Sequence, residues 1–164
     1  MENKKILIVD DEELIRLNFS VFLEDQGFIV QDAANGVEAL NKIQQDMPDI
    51  ILLDLQMPIM NGFSVLNQLE KSCQQIPVIV ISGADKMDDV VLAHRKGAWE
   101  YIIKPIKDMH SINLAIKKCF EKQKLQNQIF EYQKELENKV EQKTIELSNN
   151  KSQYDKLFSL AQDS

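Results

Sequence analysis

Two periodicities alternate along the first two thirds of the chain. Apolar runs of strand length recur at Lys5 to Asp10 (KILIVD), Phe28 to Ala33 (FIVQDA), Ile50 to Asp54 (IILLD), Pro77 to Ser82 (PVIVIS) and Glu100 to Lys104 (EYIIK). The first, third and fourth are almost unbroken, the pattern of strands covered on both faces. Between the runs lie segments with helical spacing: Leu14, Leu17 and Val21; Val37, Leu40 and Ile43; Phe63, Leu66 and Leu69; Val90, Ala93 and His94. Five rounds of strand and helix predict right-handed βαβ crossovers and an α/β fold, a doubly wound parallel sheet with helices on both faces.

Beyond Lys107 the pattern changes. All five glycines and all four prolines fall between Gly27 and Pro105, and the remainder is rich in Lys, Glu, Gln and Leu, strong helix formers. Apolar residues there fall at Leu125, Ile129, Tyr132, Leu136, Val140, Leu147, Tyr154 and Leu157, mostly three or four apart, with Lys143 and Asn150 filling the gaps. This seam predicts a long helix that forms a coiled coil. The run Ile129, Tyr132, Leu136, Val140 steps by three, four and four, an eleven-residue unit that locally unwinds a left-handed supercoil. The plainer alternative is a lone surface helix with pairs such as Glu135 and Lys139. The division expected is 1-120 for the α/β domain and 121-164 for a helical linker.

In a parallel sheet, functional groups collect beyond the carboxyl ends of the strands. Here those ends carry Asp10 and Asp11, then Asp54, Ser82 and Lys104. Asp54 closes a run that otherwise looks like protein interior, and a lone buried carboxylate is costly. Beside two more acids, it requires a cation. Hard oxygen donors of this kind suit Mg²⁺, and a lysine and a small hydroxyl nearby would hold further phosphoryl oxygens. The set is a site for a transferred phosphoryl group. Taken singly, Asp10 and Asp11 could be only a helix cap and first turn, Ser82 a turn residue and Lys104 a solvated strand end; together they point to chemistry.

The stretches VDDE, LLDLQMPIMNG, ISG and YIIKP stand at these strand ends. From Lys4 to Phe120 the chain resembles the receiver domain of two-component response regulators. The resemblance implies a flavodoxin-like (βα)5 fold and a receiver that takes its phosphoryl group on Asp54 from a histidine kinase or histidine phosphotransfer protein. It further implies Mg²⁺ on Asp11, Asp54 and the Gln56 carbonyl, with Asp10 helping through water. Lys104 would pair with the phosphoryl group, Ser82 would move to hydrogen-bond it, and Tyr101 would be the aromatic that turns inward on activation. It assigns Pro105 a cis peptide bond. Serine stands at position 82 where threonine is more usual, and Gln56 and Ala84 occupy positions that tune attack by water. The segment from Leu136 to Ser164 is similar to the helical lead into a PAS domain, which implies an output domain beyond Ser164.

Charge and cysteine usage narrow the classes. A formal net charge of -7 argues against direct nucleic-acid or anionic-membrane binding. Cys73 and Cys119 lack metal or disulfide spacing and read as inert thiols, and His94 and His110 as surface positions. Trp99 reads as packing near the sheet edge, and Gly62 and Gly97 as turn or helix-end residues. No signal-like or membrane-length run occurs, so a cytoplasmic chain is expected, in the form of a parallel homodimer acting as a switch, not an enzyme in its own right. The competing readings are a phosphorylation-independent dimerisation scaffold and a nucleotide- or flavin-binding enzyme. The second lacks a Gly-rich loop after the first strand.

Overall fold

The computed structural model describes residues 3–72, 75–83 and 87–163; Cys73 and Ala84 lie outside them. Five strands, β1 (Lys5–Val9), β2 (Ile29–Ala33), β3 (Ile50–Leu53), β4 (Val78–Gly83) and β5 (Glu100–Lys104), alternate with α1 (Glu13–Asp25), α2 (Gly36–Gln45), α3 (Gly62–Lys71), α4 (Met87–Arg95) and α5 (His110–Gln162). The strands form one parallel sheet in the order β2-β1-β3-β4-β5. The three nearly unbroken apolar runs are its three central strands, as their pattern predicts.

Alternate strand residues feed two cores. Leu7, Val9, Ile51, Leu53, Val78 and Val80 face α2, α3 and α4 through Ile43, Leu66 and Ala93. Ile6, Ile8, Ile50, Leu52, Ile79 and Ile81 face α1 and the first turns of α5 through Phe19, Leu23, Ile112 and Ile116. Each such aliphatic side chain removed from water contributes roughly 1.5 to 3 kcal/mol. Trp99 packs beside the second core just before edge strand β5, and Cys119 is buried in it.

The helically spaced apolar residues that mark α1 in the sequence are not the ones it buries. Leu14, Leu17 and Val21 are exposed, whereas Phe19 and Leu23 are buried with Ile15 and Phe22 packed beside them. Both rows satisfy three-to-four spacing, so periodicity alone cannot choose, and the row carrying two aromatic rings has the larger volume to bury. Val37, too, is exposed, while its companions Leu40 and Ile43 pack inward. His94 and His110 are at the surface. Gly97 ends α4 at φ +95, with Ala98 N–H donating to the Ala93 carbonyl, a helix stop that glycine adopts without a Cβ penalty.

The chain divides into two compact units, Met1–Glu121 and Lys122–Ser164. The second is helical throughout its described length apart from Asp163, and its apolar side chains are solvent-exposed. Glu135 and Lys139 pair within it at 2.6 Å. Among the described residues no helix is long and apolar enough to cross a membrane.

Candidate functional site

Asp10 and Asp54 are the first residues beyond β1 and β3, the pair of strands at which the sheet order reverses, and their backbones continue the ladder. Asp10 N–H donates to the Ala33 carbonyl at 3.1 Å and Asp54 N–H to that of Val9 at 2.8 Å. Ser82 lies inside β4, opposite Ile103, and Gly83 opposite Lys104. Among the described residues the buried polar side chains are Asp10, Asp54 and Ser82, at 2%, 6% and 2% exposure. All three are predicted site residues.

Lys104 joins the two buried acids: its ammonium donates to Asp10 Oδ2 at 2.7 Å and to Asp54 Oδ2 at 2.9 Å. The remaining oxygens accept backbone N–H groups two residues on, Asp10 Oδ1 from Glu12 at 2.9 Å and Asp54 Oδ1 from Gln56 at 3.1 Å. Burial pushes the Asp10 carboxyl above its ordinary pKa, even though Lys104 and the Glu12 N–H oppose it. Burial acts downward on Lys104, but hydrogen bonds and charge from Asp10 and Asp54 outweigh it and hold the ammonium above its usual range. Asp11 is exposed, yet Asp10, Asp11 and Asp54 each offer a carboxylate oxygen within 4.8 Å of the others. Three hard oxygen donors at this spacing fit a small divalent cation.

Tyr101 is partly buried against the first core. Burial raises its phenol pKa, and a hydrogen bond with Ser82 opposes the rise. The two residues expected to move together thus already meet. The Lys104–Pro105 bond is cis, as the resemblance implies. A cavity of about 700 Å³ opens beside Lys104, lined by Glu12, Ile15, Asn18, Phe19 and Met109.

Two supports were not read from the sequence. Arg16 donates from Nη1 to the Asp10 carbonyl at 2.7 Å and pairs with Asp32 at 2.8 Å, tying the acidic loop to α1. Gly62 begins α3 directly against the Asp54 backbone, where a Cβ would collide with the Asp54 carbonyl oxygen and lie 2.8 Å from Leu55 Cα. The signal for Gly62 was its place at the head of a helix eight residues after Asp54; nothing in the local pattern marks Arg16.

Residues 6–117 match the response regulator receiver domain family. The chain belongs to that family. It is 37% identical over 115 residues to the alkaline phosphatase synthesis transcriptional regulatory protein PhoP of Bacillus subtilis, covering 70% of this chain and 48% of that protein. It is 34% identical over 118 residues to sporulation initiation phosphotransferase F of the same species, covering 72% and 94%. A CheY-like receiver domain structure from Methanospirillum hungatei superposes with a TM-score of 0.69 at 30% identity, covering 75% of this chain and 98% of that one. The chain spans less than half the length of relatives such as PhoP and the Escherichia coli regulatory protein AtoC. Receiver domains act as phosphoacceptor switches, and the flavodoxin-like fold and strand-end acids of this chain are those of a receiver.

Proposed function

We propose that Asp54 accepts a phosphoryl group from a histidine kinase or histidine phosphotransfer protein and that the segment after Glu121 relays the change to a following domain. In the transfer, an Asp54 carboxylate oxygen forms a bond to phosphorus as the bond from phosphorus to the donor imidazole nitrogen breaks, leaving an acyl phosphate on Asp54 and the donor imidazole free. Asp11, Asp54 and the Gln56 carbonyl would hold Mg²⁺, with Asp10 acting through water. The ion supplies positive charge against the crowded carboxylates and phosphoryl oxygens. Lys104 lies ready to pair with a phosphoryl oxygen in place of the carboxylate oxygens it now bridges. Ser82 turns its hydroxyl to another oxygen, and Tyr101, which shares a hydrogen bond with it, follows inward. This is a local electrostatic event coupled to a bistable surface formed by α4, β5 and α5.

The observation that carries this reading is the Lys104 ammonium held between two buried carboxylates at the ends of adjacent strands. The tail supports a relay through a parallel homodimer, since an apolar seam with no covering of its own calls for a partner. Its similarity to a PAS lead supports a sensory or output domain as the recipient. Incubation with acetyl phosphate and Mg²⁺, followed by intact mass, tests the acceptor: one phosphoryl group is gained, and neither Asp54→Asn nor the parent chain in excess chelator gains it. Uptake that survives in either case rejects the assignment.

A further inference from the structure

The seam of the tail falls into two heptad frames. Leu125, Ile129, Tyr132 and Leu136 follow the first; Val140 then comes four residues on, not three, and Lys143, Leu147, Asn150, Tyr154 and Leu157 follow the second. In the isolated chain the apolar members of this seam are between 48% and 74% exposed. In the second frame Glu146 and Lys151 flank the seam on opposite sides, five residues apart. That is the spacing at which a flanking residue of one helix meets its opposite number on a parallel partner in the same register.

Resting on the reading of the tail as a relay between paired chains, we propose that Lys122–Ser164 pairs with the same segment of a second copy, parallel and in exact register. Asn150 faces Asn150 of that copy, and Glu146 of each helix faces Lys151 of the other. The complementary charges name the occupant, because the sequence that supplies each charge also supplies its counterpart. The seam's polar residues fix the register. An amide offers both donor and acceptor, so Asn150 is satisfied by its own copy, whereas a shift of one heptad sets one of the two against Leu157, which offers neither. Lys143 does not oppose the pairing, since its ammonium reaches out of the seam to Glu146 at 2.8 Å in its own helix. The change of frame between Leu136 and Val140 occurs at the same level in both helices only when the registers agree.

The test uses the full chain with Cys73→Ser, in which Ile129→Cys, Tyr154→Cys and the outer-face control Ile145→Cys are each oxidised with diamide and resolved without reductant. Ile129→Cys and Tyr154→Cys each form a covalent dimer on their own, at least about tenfold faster than Ile145→Cys. Cross-linking of Ile129→Cys with Tyr154→Cys only when the two are mixed shows an antiparallel pair and overturns the proposal. So does a chain that sediments as a monomer, or as a dimer in which no tail position cross-links. In sedimentation, Glu146→Lys weakens the dimer roughly tenfold and also takes the partner of Lys143, so adding Lys151→Glu recovers part of the association; a double variant that associates no better than Glu146→Lys overturns the pairing. Phosphoryl uptake on the same samples separates the two readings: cross-links lost with uptake intact reject the pairing alone, and uptake lost with cross-links intact rejects the switch alone.

Discussion

Strand β3 and the second half of α5 are both rich in aliphatic side chains, and they have opposite fates. Ile50, Ile51, Leu52 and Leu53 are at most 1% exposed, while Leu125, Ile129 and Leu147 are more than half exposed. The receiver covers the apolar residues of its central strands with its own helices, whereas those of the tail stand exposed along its described length. Apolarity therefore marks a demand for burial, and the spacing of the apolar residues says who can meet it. A continuous run is met by two helical layers of the same chain. A row at threes and fours on an otherwise charged helix is met by another helix.

The contrast is most sharply broken by removing the seam. Ile129→Lys combined with Leu136→Lys takes four apolar side chains from each dimer, and at roughly 1.5 to 3 kcal/mol for each the dissociation constant should rise by at least about a thousandfold. Sedimentation at micromolar concentration should show a folded monomer that still takes up phosphoryl. A dimer that persists would put the contact on the receiver. Next in size, Leu52→Ala leaves a cavity between β3 and α1 and should cost about 2 to 5 kcal/mol in a urea titration followed by the fluorescence of Trp99, with the association of tails unchanged.

Gly62→Ala sharpens the comparison inside the receiver. The new methyl group must push the Asp54 backbone or α3 aside, so we expect a loss of about 1 to 3 kcal/mol together with slower phosphoryl uptake. Equal uptake rates would mean that the Asp54 carboxylate is not positioned by α3. The smallest effect is at Asp49, which accepts from Lys4 Nζ and Lys5 N–H, each at 2.8 Å. Burial acts upward on its carboxyl, but these bonds hold the pKa below the ordinary range. A depressed folded-state pKa stabilises above the unfolded value, and the gain is lost as pH falls through the folded value. Asp49→Asn should therefore lower the stability at pH 7 by less than about 1 kcal/mol for so exposed a pair, read as a slightly lower thermal midpoint, and the difference should close in acid below about pH 3.9.

The positions of Asp10, Asp54, Ser82 and Lys104 could be read from the chain because each ends or closes an apolar run whose length fixes where the strand stops. The central strands were legible for the same reason. The core face of α1 was not: ELIRLNFSVFLED carries apolar residues on two sides, and only the packing of Phe19 and Leu23 against β1 and β3 decides between them. Arg16 was equally hidden, since its role depends on a backbone carbonyl that any residue at position 10 would supply. The proximity of Gly62 to Asp54 arises from chain return across a loop, which local spacing does not encode.

The hydrogen bonds from the Asp10 and Asp54 amides to Ala33 and Val9 make the reactive loops extensions of the sheet. To expose either amide to solvent, the strands themselves must separate, so these two hydrogens should exchange with deuterated water as slowly as those of Ile51 and Leu53. Chemistry at Asp54 then has no local melting point of its own: as denaturant is added, it should fail at the same concentration at which the interior strands open.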